Sequence, residues 1–225
     1  MAAEYIHHQN TILLLSGRAG CGKNTISGLI ESELQDTHIT KEFAFADKLK
    51  VIVSDLLKVF CNYEVDPISM NSLEVKQNLH PYLKMYKNGF EAPLQIRHLL
   101  QTVGTEIIRT QLGHDIFSST VAKDVYEFFI ECNMSGYPGF AIITDLRFPN
   151  ELDVIEKFFP NSTFNIIVAK IHRPNRETDD MNAHISEMLF NDIPHDILID
   201  NDGDVEDLRR TITEILPELL HRDTK

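Results

Sequence analysis

The residues with the clearest chemical pattern form a glycine-rich turn near the amino end, Gly17-Arg18-Ala19-Gly20-Cys21-Gly22-Lys23-Asn24-Thr25. Its glycines and lysine have the spacing G-x-x-x-x-G-K of a phosphate-binding loop (P-loop), in which backbone N–H groups and an ammonium hold a nucleoside triphosphate. The apolar run that begins at Thr11 indicates a buried strand before the turn, and helical spacing follows it, as the motif requires. An ordinary glycine-rich turn is the alternative. The residues predicted to contact the triphosphate are Gly17, Ala19, Gly20, Cys21, Gly22, Lys23, Asn24 and Thr25.

Oxygen-bearing side chains at two places in the sequence could hold the Mg²⁺ that accompanies a triphosphate. Asn24 stands where the motif normally has Ser or Thr, and Thr25 follows it, so either residue can offer an oxygen to the metal. Asp145 closes the apolar run of residues 140–144, and an acidic residue at the end of a second buried strand is the usual partner of a P-loop. We predict a magnesium site from Asn24, Thr25 and Asp145, with a strand-ending Asp of no special role as the alternative.

Several side chains beyond the P-loop could bind a second phosphate group. Arg147 follows the second strand, and its guanidinium offers a fork of donors that suits phosphate oxygens. Asn150 and Glu151 come next and are predicted to contact substrate, with helix capping as the alternative. Arg97 and Gln101 are four residues apart and share a helix face, for which a solvated surface is the alternative.

Three more basic residues extend this candidate site. Lys50 lies in the first turn of a helix predicted to begin at Asp47, where a cation opposes the helix dipole unless an anion is close. Arg173 and Arg176 begin a polar stretch, residues 173–190, that we predict to be a lid, because lids bring arginine over a reacting phosphate and exclude water. An ordinary exposed loop is the alternative for this stretch.

The elements that must position these residues alternate between apolar strands and amphipathic helices. Such alternation predicts an α/β fold with a parallel sheet covered by helices on both faces, and we count five strands. Ligands bind beyond the carboxyl ends of the strands in such sheets, where the residues above fall. Residues 61–92, interrupted by two prolines and followed by Pro93, are predicted to be an irregular insertion at the substrate side of one domain that spans residues 1–225. Besides the first strand, strands are predicted at 41–46, 140–145, 164–171 and 196–200, and helices at 24–34, 47–60, 94–112, 115–132, 150–159 and 205–220.

Composition limits what the chain can bind. Its 225 residues carry a formal net charge of −13, from 34 acidic and 21 basic residues, which argues against a broad nucleic-acid surface and suits a small anionic ligand. Cys21, Cys61 and Cys132 have no paired spacing, which argues against zinc and against a disulfide framework. The first ten residues are polar, and no apolar run approaches membrane-spanning length. We therefore expect a cytoplasmic protein with neither a nucleic-acid nor a membrane partner.

Seven short motifs, taken in order, resemble those of the tailed-phage deoxynucleoside monophosphate kinases. A more distant likeness, in the G-K-[DN] loop and the strand-ending D-x-R, is to animal-type phosphomevalonate kinase. The seven motifs are G-x-x-x-x-G-K-[DN]-T in the P-loop, F-A-D-x-L-K at 45–50, R-x-L-L-Q-x-x-G-T-E at 97–106, D-x-R-F-x-N-E at 145–151, H-R-P at 172–174, H-x-S-E at 184–187 and N-D-G at 201–203.

The resemblance implies an adenylate-kinase-like fold and phosphoryl transfer from ATP, with Mg²⁺, to a deoxynucleoside monophosphate. It implies that Asn201 and Asp202 lie near the adenine of ATP. Two residues depart from the family pattern, because Asn24 stands where the family usually has Asp and Lys48 where it often has Pro. By this resemblance the residues expected to act in catalysis are Lys23, Arg97, Arg147, Arg173 and Arg176, and those expected to bind the acceptor are Lys50, Arg97, Gln101, Arg147, Asn150 and Glu151.

The leading hypothesis is therefore an ATP-dependent kinase of deoxynucleoside monophosphates, with the oligomeric state open between monomer and homodimer. One alternative is a kinase for another phosphorylated small molecule, such as phosphomevalonate. A second alternative, from a different class, is a nucleotide-binding switch protein that hydrolyses its triphosphate slowly.

Overall fold

Residues 10–77, 79–87, 90–160, 163–174 and 193–220 are described by the computed structural model, in which the chain divides into two units. Residues 45–117 form one unit, and the described residues before 45 and after 117 form the other, which we call the P-loop unit. The prediction that residues 1–225 make one kinase domain stays a prediction. In chain order the elements are β1 (Thr11–Ser16), α1 (Lys23–Leu34), β2 (Ile39–Phe43), α2 (Asp47–Cys61), a 3₁₀ turn (Ser69–Asn71), α3 (Leu73–Gln77), β3 (Leu79–Lys87), β4 (Phe90–Gln95), α4 (Ile96–Gln101), a π-helical segment (Thr102–Leu112), α5 (Ile116–Ser135), β5 (Gly139–Leu146), α6 (Pro149–Phe158), β6 (Asn165–His172), β7 (Ile197–Asp200) and α7 (Val205–Leu220).

The P-loop unit is built on a five-stranded sheet whose neighbouring strands are all parallel, as the sequence predicts. The spatial order is β2-β5-β1-β6-β7, so β1 lies in the middle and all six of its residues are buried. Strands are added on both sides of β1 as the chain proceeds. The carboxyl end of β1 is therefore the place where the strand order reverses, which is where ligands bind in sheets of this type.

Helices cover both faces of this sheet. On one face, alternate strand residues such as Leu13 and Ile142 pack with α1 and α7 in a single buried apolar cluster. On the other face, Phe128 of α5 meets Phe43 of β2 with 5.7 Å between ring centroids. Burial on both faces explains why the strands are continuous apolar runs and not alternating ones. Among the described residues no helix has the length and apolar character needed to cross a membrane.

The 45–117 unit combines helices with an antiparallel hairpin of β3 and β4. Lys84 and Glu91 form a salt bridge at 2.6 Å within this hairpin. Helix α2 approaches the π-helical segment closely, because a Cβ at Gly104 would lie 2.6 Å from a terminal methyl carbon of Leu49. Gly104 therefore allows close contact between the two segments, and a bulkier residue there would force the Leu49 side chain to move.

The structure corrects three predictions about these elements. The prediction that residues 61–92 are irregular is wrong, because this range contains α3, β3 and the start of β4. The helix predicted at 94–112 begins at Ile96 and becomes π-helical from Thr102. The second strand runs over Ile39–Phe43 and not over residues 41–46, since its pairing with β5 begins at Gly139.

Candidate active site

The P-loop joins β1 to α1 through a backbone path that excludes side chains at two glycines. Gly22, which caps α1, has φ +105°, and a Cβ there would collide with Nδ2 of Asn201. At Gly17 a Cβ would lie 2.8 Å from both Cys21 Sγ and the main-chain oxygen of Ile171. Without side chains at these two positions, the backbone N–H groups of the turn can come close to a bound phosphate.

Lys23 is the first residue of α1, and its side chain folds back over the turn. Nζ donates hydrogen bonds to the main-chain oxygens of Gly17 and Arg18, each at 2.8 Å, and lies 3.5 Å from Cys21 Sγ. The ammonium is thereby held against the loop, where it can meet the β- and γ-phosphates of a bound triphosphate.

Two further charged side chains act on Lys23. Burial is the main cause that lowers the pKa of Lys23, and the guanidinium of Arg147 lowers it further, whereas Cys21 and the Asp145 carboxylate raise it. Strand β5 pairs in parallel with β1, with Ser16 beside Leu146, so Asp145 and Arg147 lie at the same end of the sheet as the P-loop and its ammonium. The structure therefore brings together three residues that the sequence analysis selected separately.

We expect ATP binding to weaken at alkaline pH, because the lowered pKa of Lys23 brings the loss of its charge closer to neutrality. Above that pKa the affinity for a non-hydrolysable ATP analogue should fall by up to about tenfold per pH unit. Binding should raise the pKa and take up protons, which calorimetry in buffers of different ionisation enthalpy measures. The Lys23→Arg variant, whose guanidinium stays charged, should give a flatter profile; equal slopes for the two proteins would contradict the assignment.

Glu151 is buried in α6 and closes the turn that carries Arg147. Its Oε2 accepts a hydrogen bond from the N–H of Arg147 at 2.9 Å and another from the N–H of Phe148 at 3.0 Å. This is the helix-capping role that the sequence left as the alternative. The substrate contacts of Glu151, and of the half-buried Asn150 beside it, stay predictions.

Replacing Glu151 with alanine should lower kcat by about tenfold and destabilise the fold by about 2 kcal/mol, because two partly buried N–H groups lose a charged acceptor and the turn that carries Arg147 loosens. Glu151→Gln keeps an acceptor oxygen and should retain most activity. Asp153→Ala, an exposed carboxylate on the same helix, is the matched control for thermal unfolding and turnover. A Glu151→Gln variant as inactive as Glu151→Ala would mean that the charge itself is needed.

Asn201 follows β7 and is buried against the P-loop. Its Nδ2 donates to the main-chain oxygen of Cys21 at 2.8 Å, and its own N–H donates to the main-chain oxygen of His172 at 2.8 Å. The neighbouring Asp202 is exposed. Adenine contacts from Asn201 and Asp202 stay predictions, but the loop that holds them is in direct contact with the phosphate cradle.

Sequence analysis missed a pair of side chains beside this loop. His172 Nδ1 lies 2.9 Å from Asp200 Oδ1, at the last paired position of β6 and β7. Only the register of the two strands reveals the pair, since 28 residues separate them. Arg173 follows directly and is half-buried, whereas Arg176 and residues 175–190 of the predicted lid lie outside the described residues.

The residues predicted to hold Mg²⁺ have suitable chemistry. Asn24 and Thr25 are exposed in the first turn of α1, and Asp145 lies close enough to Lys23 to raise its pKa. All three offer the hard oxygen ligands that Mg²⁺ prefers. In the described part of the chain no group of three His, Cys, Asp or Glu side chains forms a metal site, so the fit depends on one carboxylate, one amide and one hydroxyl.

The remaining predicted residues lie in the 45–117 unit. Lys50 is buried, and its Nζ lies 2.7 Å from Asp47 Oδ1. The carboxylate of Asp47 therefore already neutralises part of the charge of Lys50. Arg97 and Gln101 are half-buried on α4. Their contacts with substrate stay predictions.

A model of the family described as deoxynucleotide monophosphate kinase matches residues 52–212 of this chain. The match begins after the P-loop, so the loop motif and the family match are separate observations. The matched range includes Arg97, Asp145, Arg147 and Asn201. No curated protein sequence matches the chain.

Two kinases are among the solved structures that align with this chain. The APS kinase CysC of Mycobacterium tuberculosis, in complex with AMPPNP and APS, aligns over 93% of this chain and 98% of its own, at 9% identity and a TM-score of 0.46. Shikimate kinase from Acinetobacter baumannii, in complex with shikimate, aligns over 97% of each chain at 12% identity and a TM-score of 0.42. Similarity this low says nothing about the substrate of this chain.

Proposed function

Since this chain belongs to the deoxynucleotide monophosphate kinase family and is therefore a phosphotransferase, we propose that it transfers the γ-phosphoryl group of ATP to a deoxynucleoside monophosphate. The observation that carries this proposal is that Lys23, Asp145 and Arg147 lie at the carboxyl end of the paired strands β1 and β5, next to a loop that has no room for a side chain at Gly17 or Gly22. A cradle for one phosphate chain with a second cation beside it suits a reaction that joins two phosphate groups.

The reaction needs no covalent intermediate with the protein. An oxygen of the acceptor phosphate attacks the γ-phosphorus of ATP in line, and the bond from that phosphorus to the bridging oxygen of the departing ADP breaks as the new bond forms. The products are ADP and a deoxynucleoside diphosphate. A phosphate monoester is largely deprotonated at neutral pH, so no side chain has to remove a proton from the acceptor.

The residues of this chain would act by positioning and by charge. Lys23 and the loop amides hold the donor phosphates, and Arg147 neutralises charge between donor and acceptor. In the 45–117 unit Arg97, with Lys50 and Gln101, would hold the acceptor. Asn24, Thr25 and Asp145 would hold Mg²⁺, which when bound neutralises charge on the β- and γ-phosphates.

An acceptor screen with γ-labelled ATP tests the proposal. All common deoxy- and ribonucleoside monophosphates are supplied in turn, together with phosphomevalonate and a reaction without acceptor. We expect label in a deoxynucleoside diphosphate and ADP formation that depends on the acceptor. Label only in a non-nucleotide product, or ADP release that needs no acceptor, would overturn the proposal.

A further inference from the structure

The side chain of Asn201 bridges the P-loop and the end of the sheet on the β7 side. Asn201 is 6% exposed, its Nδ2 donates to the oxygen of Cys21, and its own N–H donates to the oxygen of His172. One residue thus ties together three chain segments that are distant in sequence. A buried amide group needs hydrogen-bond partners, and the main-chain oxygen of Cys21 supplies one for Asn201.

The hydrogen bond to Cys21 fixes the orientation of one peptide group in the loop. In a trans peptide the C=O and the N–H point in opposite directions. The peptide between Cys21 and Gly22 turns its oxygen toward Asn201, so the N–H of Gly22 points away from Asn201. Gly22 caps α1, and its own oxygen accepts the first helical hydrogen bond, from the N–H of Ile26 at 2.9 Å.

We propose that Asn201 is a positioning residue of the phosphate cradle, which holds the Cys21–Gly22 peptide so that the N–H of Gly22 points at the phosphates of the donor. The inference rests on the proposed use of ATP, and it differs from an adenine contact because it acts on phosphates and not on the base. The close packing of Gly22 against the Asn201 amide, which leaves no space for a Cβ, keeps the peptide from turning over.

A matched control residue lies at the other end of the strands, at the amino end of β6. Asn165, the first residue of β6, is also buried, and its Nδ2 donates to the main-chain oxygen of Leu219 at 2.9 Å. Replacing Asn165 removes the same kind of hydrogen bond from the same sheet without touching the P-loop. The two alanine variants should therefore lose similar stability and differ only in nucleotide binding.

The test compares Asn201→Ala, Asn201→Asp, Asn165→Ala and the wild-type protein for ATP affinity and for inhibition by inorganic tripolyphosphate, which has phosphates but no base. We expect both Asn201 variants to bind ATP and tripolyphosphate about tenfold more weakly or worse, with KM for the acceptor little changed, and Asn165→Ala to bind both normally. Asn201→Asp removes the donor at constant size, and Asn201→Ala removes it without adding charge.

Three results would overturn the inference. Weaker ATP binding with unchanged tripolyphosphate inhibition would make Asn201 a base contact. Equal loss of binding in Asn165→Ala would make the effect a general loss of stability, and an effect in Asn201→Asp alone would make it simple charge repulsion. The proposed function fails separately, if the wild-type protein phosphorylates no nucleotide; in that case the displacement of a bound ATP analogue by tripolyphosphate, measured in place of inhibition, tests the role of Asn201.

Discussion

Lys23→Ala is expected to lower kcat/KM for ATP by about a thousandfold, while the protein stays folded. Two hydrogen bonds to the main-chain oxygens of Gly17 and Arg18 hold the ammonium against the loop. Alanine leaves the loop backbone in place but removes the charge that follows the γ-phosphate as its bonds change. Steady-state kinetics with saturating acceptor measures the loss.

The fold should survive this change because the half-buried ammonium of Lys23 contributes little net stability. Burial disfavours the charged form of Lys23, as its lowered pKa shows, so the removal of the charge offsets much of the lost hydrogen bonding. Thermal unfolding should therefore shift by only a few degrees, on the order of 1 kcal/mol. Lys157→Ala, an exposed lysine in the last turn of α6, is the control and should be fully active. An active Lys23→Ala enzyme would remove the basis for the P-loop assignment.

The parts of this site that lie close together in sequence were predictable, because they depend on local patterns. A strand, a glycine-rich turn and a helix within 25 residues carry the P-loop signal, and the observed strand β1 and helix α1 follow it. Helix α7 has the predicted bounds, Val205–Leu220, since its apolar residues recur with helical spacing between a polar turn and a polar end. Asp145 and Arg147 follow β5, where a parallel sheet gathers functional residues.

The hairpin of β3 and β4 was missed because two local signals conflict. Pro81 and Pro93 argue against strands, and they outweighed the Asn88-Gly89 dipeptide between the two segments, which is a strong hairpin signal. A two-stranded hairpin has no neighbouring strand on either side, so proline is tolerated there more readily than in a central strand. The π-helical segment could not be predicted either. Over 11 residues the spacing of apolar side chains does not distinguish a π-helix from an α-helix.

The hydrogen bond between Asn201 and Cys21 could not be predicted from the sequence. Asn201 and Cys21 are 180 residues apart, and their hydrogen bond exists only because β7 ends beside the P-loop in the folded sheet. The sequence marked both residues as candidates for nucleotide binding for separate reasons. Only the folded sheet shows that the Asn201 side chain binds the main chain of Cys21.

Gly22→Ala is expected to reduce ATP affinity by about a hundredfold and to destabilise the P-loop unit by about 1–3 kcal/mol. At φ +105° an L-residue is strained whatever the space, and here the added Cβ would also collide with Asn201 Nδ2. The first turn of α1 must move to accommodate it, so the loop amides no longer converge. Gly28→Ala, in the same helix and with no atom within 4 Å of the new Cβ, should instead stabilise by about 0.5–1 kcal/mol and leave ATP binding intact.

The double variant Gly22→Ala/Asn201→Ala separates the two causes of that loss. If the collision with the Asn201 amide dominates, removing the amide relieves it, and the double variant is less destabilised than the sum of the single variants. If backbone strain at φ +105° dominates, the two losses add. We expect the first result for the free energy of unfolding in urea. ATP affinity should show no such relief, because the double variant lacks the Asn201 amide that orients the Cys21–Gly22 peptide, and recovered affinity in the double variant would contradict that role.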